Sequence, residues 1–292
     1  MLDSRMKPRT NPIRKFVSEY ARLFHQGKKL PPGNPPKSKR RPKAADDAPK
    51  ALIFSPHPDD ECIVGGLALR LLREAKWNVI NVAVTLGSRQ ERRAARLREL
   101  KNACDYLGFD LAAANRVDIL PGARQKNGVG WQKAVKNIAR LLARARPRVI
   151  FIPHEGDGHP THAGTHLLVL DALKTLPASF HCHVVETEFW APLAKPNLLV
   201  ESSVADVADL VAALACHVGE VRRNPYHARL PAWLMDNVRR GAELVGGQGG
   251  TAPDFTFATL YRHRQWSRGR LVEGLKGGRF LSSAKNAAGL FR

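Results

Sequence analysis

The side chains able to do chemistry are concentrated in two short segments. One is S-P-H-P-D-D-E at residues 55–61, and the other is P-H-E-G-D-G-H-P-T-H-A-G-T-H at residues 153–166. His57 offers a neutral imidazole nitrogen. Asp59 and Asp60 are adjacent carboxylates that a tight turn can point in different directions, so one can bind a metal while the other stays free as a base. His159 and His162 arrive from the second segment. Two histidines and a carboxylate, with a position open for water, form a recurring catalytic zinc arrangement. Such a metal brings the pKa of its water to about 7 and polarises an amide carbonyl. A second pairing is open, because His162 and His166 stand at i and i+4, the spacing of a helical metal pair. Each segment alone has a plainer reading: a helix N-cap for the aspartates, a turn for His-Pro. His181, His183, His217 and His227 read as structural or solvent-facing.

The elements around these segments alternate. ALIFS (51–55) reads as a buried strand, followed by a helix over 61–75. VINVAVTL (79–86) is a strand, and a basic helix over 89–107 ends at Gly108, a C-terminal cap. A helix over 131–146 stops before Pro147; then RVIFIP (148–153) is a strand, 163–176 a helix and HCHVVETEFW (181–190) a strand. Residues 205–246 read as helical and 254–262 as a final strand. The alternation predicts an α/β, Rossmann-like fold, a mostly parallel sheet with helices on both faces. Both chemical segments begin where a strand ends and a helix starts, the edge at which such sheets bind ligands. Gly65 and Gly66 let the first helix approach the sheet closely.

A chain of 292 residues, 43% hydrophobic and 25% charged, is long enough for one large α/β domain with extensions. Residues 1–50 read as a basic extension. In it Ile13, Phe16, Val17, Tyr20, Leu23 and Phe24 recur at helical spacing, with Asn11 as N-cap and Pro12 in the first turn. A Pro- and Lys-rich stretch over 28–50 follows, expected to be an extended, mobile linker. Residues 51–262 read as the main α/β domain and 263–292 as a basic tail. The formal charge of +21 is distributed unevenly: +10 in residues 1–50, +6 in 263–292 and only +5 between. Basic ends attract polyanions or acidic membrane, or simply keep a protein soluble; no specific nucleic acid is expected. No apolar run reaches the roughly 18–20 residues of a membrane helix, and the start lacks the apolar stretch of a secretory signal. Four irregularly spaced cysteines suit reduced thiols in the cytoplasm, with Cys62 a small buried residue.

The two segments together resemble the PIG-L/LmbE-like deacetylases, whose pattern is A-H-P-D-D-E after the first strand and H-P-D-H after a later one. Here these read P-H-P-D-D-E (56–61) and H-P-T-H (159–162). T-L-G (85–87), R-L-R-E-L-K-N-A-C-D-Y-L-G (96–108) and E-F-W-A-P-L-A-K-P-N (188–197) extend the resemblance over about 51–262. It implies an LmbE-like fold and zinc, or another divalent metal, bound by His57, Asp60 and His162. Asp59 would be the general base activating the metal-bound water, His159 would stabilise the oxyanion and could protonate the leaving amine, and Arg96 would contact substrate. The implied reaction is hydrolysis of an N-acetyl (acyl) group from a small-molecule amino-sugar conjugate. The alternative is a polyanion- or membrane-binding protein that uses its basic ends and carries a degenerate hydrolase site. One position departs from the family: Thr161 stands where an Asp would hold the catalytic histidine, so Asp157 or Glu155 would have to take that role, or His159 is a weaker acid catalyst.

Overall fold

The computed structural model describes residues 11–33, 35, 45, 47–113, 121–126 and 128–292, and every structural statement below concerns these. Helix α1 (Pro12–Gly27) precedes strand β1 (Lys50–Ser55), which leads through α2 (Asp60–Ile63) and α3 (Gly66–Ala75) to β2 (Asn78–Ala83). Then come α4 (Arg93–Leu107), β3 (Asp110–Ala113), α5 (Pro121–Gln125), α6 (Val129–Ala145) and β4 (Val149–Pro153). After α7 (Pro160–Lys174), β5 (Cys182–Thr187) and β6 (Leu198–Glu201) come α8 (Val204–Ala215), α9 (Val218–Arg223) and α10 (Tyr226–Leu244). Strands β7 (Ala258–Ser267), β8 (Arg270–Glu273) and β9 (Arg279–Leu281) follow.

The sheet order is β3-β2-β1-β4-β5-β7-β6-β9, with β8 on β7. From β3 to β5 all neighbours are parallel; β7 runs antiparallel to both β5 and β6. The expected α/β architecture is therefore present. β1 explains why both faces are covered: Ala51 and Ile53 pack with residues of α3, α4 and α8, while Leu52 and Phe54 pack with α6 and α7. A strand buried on both faces reads as a continuous apolar run, as ALIF does. From β1 the chain winds outward through β2 and β3 and then returns to the other flank of β1 at β4. The carboxyl ends of β1 and β4 thus lie side by side where the winding reverses, the position at which open α/β sheets form a binding crevice.

The helix expected over 61–75 is split into α2 and α3 at Val64 and Gly65. Tyr261, fully buried on β7, donates to the Val64 carbonyl (2.6 Å) and accepts the Leu67 N–H (3.1 Å), which satisfies the groups freed by the break. A Cβ at Gly65 would lie 2.2 Å from the Glu61 carbonyl oxygen, so the turn admits only glycine. At Gly66 it would meet Ser202 and Thr259 hydroxyls at 3.0 Å, the close approach to the sheet foreseen from the sequence.

Residues 263–292, expected to form a basic tail, are built into the domain instead. β7 runs through Ser267, β8 and β9 follow, and Trp266, Leu281, Ala287, Leu290 and Phe291 are buried. Arg70, 1% exposed, donates to the carbonyls of Glu201 (3.0 Å), Ser282 (3.0 Å) and Lys285 (2.7 Å) and pairs with Glu74, so the last turn is tied to α3. The apolar residues scattered among the charges supply the burial that a solvated tail would forgo.

Asn11 caps α1 as expected, accepting from the N–H groups of Ile13 and Arg14. The helix meets α10 along one edge, through Tyr20 to Met235 Sδ (2.9 Å) and through Phe24, on whose ring Lys28 and Arg229 lie. Ile13, Phe16, Val17 and Leu23 are exposed. The linker expected over 28–50 includes residues 34, 36–44 and 46, which lie outside the described residues. No helix among the described residues is long and apolar enough to cross a membrane.

Tyr261→Phe removes one donor from Val64 and one acceptor from Leu67 without changing shape. It should cost about 1–3 kcal/mol, the range for leaving buried polar groups unpaired, read as a shift of the urea midpoint at constant slope.

Candidate active site

β1 ends at Ser55 and the chain turns through His57-Pro58-Asp59 into α2. Asp59 sits in the left-handed region (φ 114°) and its side chain caps nothing, so the N-cap reading of the aspartates fails at this residue. The backbone hydrogen bonds of Asp59 run from its own N–H to Glu61 Oε2 (3.0 Å) and from the Cys62 N–H to its carbonyl (3.0 Å). Asp60, one residue on, folds back so that Oδ2 accepts the His57 N–H (2.7 Å). Beside it, β4 ends at Pro153 and α7 opens with His159 as N-cap and Pro160 at its first position. His162, one turn in and 1% exposed, points across the seam.

Three donors converge there. His57 Nδ1 and His162 Nε2 are 3.3 Å apart, and Asp60 Oδ2 lies 3.7 Å from the first and 3.6 Å from the second. Donors about 2.0–2.2 Å from a tetrahedral metal stand roughly 3.3–3.6 Å from one another. The residues present therefore fit a divalent metal with two nitrogen ligands and one oxygen. His159 belongs to a looser set: its ring nitrogens share a 4.8 Å span with those of His57 and His162. The structure does not bring His166 to the triangle, because His166 Nδ1 is engaged by the Pro153 carbonyl (2.9 Å).

The electrostatics follow from burial. Asp59 is pushed well above the usual carboxylate range, first by burial and then by the charges of Asp60 and Glu61. Burial also raises Asp60, to about 6, against the opposing pull of His162. His57 is held well below the usual imidazole value by burial and by the neighbouring His162 and His159, so it is neutral and able to ligate. For His162 burial favours the neutral ring, but Asp60 and Asp157 together outweigh it and raise its pKa.

Asp157 answers the question posed by Thr161, though not in the way expected. Its Oδ2 lies 3.3 Å from His162 Nδ1, while Oδ1 accepts only the backbone N–H of His159 (3.1 Å). The carboxylate therefore backs the His162 ring, in the manner of outer carboxylates behind metal-bound histidines. No acid holds the His159 ring, since Glu155 is exposed and His159 Nδ1 accepts the Thr161 N–H (3.2 Å). With Nδ1 so engaged, the proton of the neutral ring sits on Nε2. Burial and His162 lower the pKa of His159, which favours that neutral form.

Arg96 donates from Nη2 to the Pro58 carbonyl (3.2 Å) and lies 3.7 Å from Glu220. Its visible work is to brace the His57–Asp60 turn. Two further features adjoin the site, and in the first of them Cys62 is the small buried residue expected and His217 is buried. Glu61, Cys62 and His217 form a second buried cluster, in which burial and Glu61 hold the Cys62 thiol well above its usual pKa and hence protonated. Phe189, Trp190, Tyr226 and Trp233 form an aromatic wall next to the histidines, with Trp190 half exposed and 5.5 Å from His159. The E-F-W motif was the sequence signal for that wall.

Fold and site together define an α/β domain with a candidate metal centre at its switch point. Residues 52–173 match the family described as PIG-L: GlcNAc-PI de-N-acetylase, so the resemblance carried by the motifs is shown over that segment. Among curated relatives, a 1D-myo-inositol 2-acetamido-2-deoxy-alpha-D-glucopyranoside deacetylase of Segniliparus rotundus is 28% identical over 181 residues, 50% of this chain and 56% of the relative. A diacetylchitobiose deacetylase of Thermococcus kodakarensis is 25% identical over 190 residues, 56% of this chain and 67% of the relative. The chain thus spans a little over half the length of the first of these. Among solved structures, N,N'-diacetylchitobiose deacetylase of Pyrococcus horikoshii superposes with TM-score 0.56 at 18% identity, covering 87% of this chain and 93% of that one. GalB, a 4-carboxy-2-hydroxymuconate hydratase of Pseudomonas putida KT2440, also reaches 0.56, at 16% identity over 74% of this chain and 95% of its own. A hydratase on the same fold means that the fold alone does not choose the reaction.

Asp157→Asn keeps the shape behind His162 but removes the charge. It should weaken metal affinity by roughly 10–100-fold, measured by competition with a chelator, whereas His166→Gln should leave affinity within about twofold because that ring is outside the triangle.

Proposed function

We propose that the protein is a divalent-metal-dependent amidohydrolase that removes an acetyl group from the nitrogen of an amino-sugar conjugate. The observation that carries this reading is the His57, His162 and Asp60 triangle, with Asp59 buried at the adjacent position of the same turn. A divalent metal there supplies Lewis acidity toward the amide carbonyl and the attacking water. Zinc suits the N,N,O donor set best.

In this reading Asp59 takes the proton of the attacking water, and its raised pKa makes it a stronger base than an exposed carboxylate. His159 donates a hydrogen bond from Nε2 to the carbonyl oxygen as negative charge builds on it. Because His159 lacks a carboxylate partner, the protonated Asp59 returns its proton to the departing nitrogen, and acetate and the free amine leave. Arg96 keeps the turn that carries Asp59 in shape, and its remaining donors are the ones that could reach substrate. Trp190 offers an exposed aromatic face to a sugar ring beside His159.

Support for the amide and the sugar comes from the relatives, several of which are deacetylases of acetamido sugars. The alternative of a binding protein with a degenerate site is disfavoured by the complete donor triangle and the buried base. Four buried free cysteines suit a reducing compartment, and we assign the protein to the cytoplasm on that ground.

Asp59→Asn should keep metal and KM while kcat falls roughly 10²–10⁴-fold, the usual worth of a general base; Asp60→Asn should lose metal first. Amine release from a panel of N-acetylglucosamine conjugates, with metal content measured in parallel, tests this. No release from any conjugate by metal-loaded protein would refute the activity. The acid limb of the kcat/KM profile should lie above the ordinary carboxylate range, because the base form of a group with raised pKa is lost at higher pH.

A further inference from the structure

Asp59 is a non-glycine residue at φ 114° and ψ −29°, a conformation that L side chains avoid and that persists only where the surroundings over-determine it. Two contacts do so. Its carbonyl accepts the Cys62 N–H (3.0 Å), the first bond of α2, and its N–H donates to Glu61 Oε2 (3.0 Å). Glu61 is fully buried, and its other oxygen, Oε1, lies 2.7 Å from Nε2 of His217, also fully buried, at the junction of α8 and α9. The chain of contacts therefore runs from a helix junction 156 residues away to the backbone of the proposed base.

We infer that Glu61 and His217 are positioning residues that clamp Asp59 in its left-handed conformation and so aim its carboxylate at the attacking water. The inference rests on the role proposed above for Asp59. Neither residue touches the donor triangle: Glu61 directs its oxygens to Asp59 N–H, His217 and Cys62 Sγ (3.3 Å), and none to His57, Asp60 or His162. What Glu61 supplies is an acceptor in a fixed place. Glutamine keeps an acceptor for the Asp59 N–H and offers its own N–H to His217. The His217 ring can receive it, because Nδ1 has no hydrogen-bond partner among the described residues and is free to carry the proton instead.

The test compares Glu61→Ala with Glu61→Gln in full-length, metal-loaded protein. Alanine should lower kcat by about 10²-fold or more, the lower end of the worth of a general base, with KM and metal content unchanged. Glutamine should restore kcat to within about tenfold of the parent. Equal loss in the two variants, or metal loss in step with kcat, would overturn the proposal. If alanine prevents folding, His217→Phe and His217→Gln decide: phenylalanine removes the donor and should lower kcat, and glutamine should recover it, whereas equal kcat values would overturn the clamp. A crystal structure of a folded clamp-breaking variant, Glu61→Ala or His217→Phe, provides a readout independent of turnover. Asp59 should leave the left-handed region, and a φ still near 114° would refute the clamp even if the protein proved to have another activity.

Discussion

Three consecutive carboxylates, Asp59, Asp60 and Glu61, are buried at the end of β1, with 6%, 3% and 0% of their surfaces exposed. Buried like charges at this spacing repel and are poorly solvated, so each needs its own compensation. For Glu61 burial pushes the carboxyl up, but His217 and the backbone N–H groups it accepts from, that of Asp59 among them, together outweigh burial and keep it below its usual pKa. Asp60 finds part of its compensation in the His162 imidazole and the His57 backbone N–H, and a divalent metal in the triangle would complete it. Asp59 is left with burial and two charged neighbours, and its proton affinity rises. Adjacent identical side chains thus acquire different properties, which suit the ligand proposed at Asp60 and the base proposed at Asp59.

The partners of these carboxylates come from well beyond the turn. His162 arrives on α7, the helix that follows the neighbouring parallel strand β4, with Asp157 behind it. His217 comes from the α8–α9 junction and Glu220 from α9, which joins Arg92 and Arg96 to the base-bearing turn. Both His217 and Glu220 lie outside the segment matched to the PIG-L family, 52–173. The matched segment contains the candidate ligands, whereas the frame that holds the candidate base is completed by this chain's own later helices.

Loss of the family's Asp at Thr161 redistributes work. With His159 Nδ1 accepting a backbone N–H, the ring has neither the partner nor the pKa for a stable imidazolium. A hydrogen-bond donor can still stabilise developing charge without carrying a full positive charge itself, and in the proposed reaction the burden of proton transfer therefore falls to Asp59. The same fold in GalB is a reminder that such local choices, rather than the sheet, decide the reaction.

Much of this was legible along the chain. ALIF had to be a central strand because only a position covered on both faces tolerates four apolar residues in succession. The two clusters of metal-binding side chains just after two strands stood out, while the choice of His57, Asp60 and His162 among them came from the resemblance to the PIG-L/LmbE-like deacetylases. Asn11 and Pro12 marked the start of α1 by local hydrogen-bonding rules. The sequence did not reveal that Asp157 would back His162 instead of His159, because that depends on how a six-residue loop folds over the end of β4. Nor could periodicity show that residues 263–292 would complete the core, since strands of three and four residues carry too few side chains to display a pattern. The pairing of Glu61 with His217, 156 residues apart, was decided by tertiary structure alone: an isolated histidine carries no signal of which buried carboxylate the fold will set against it.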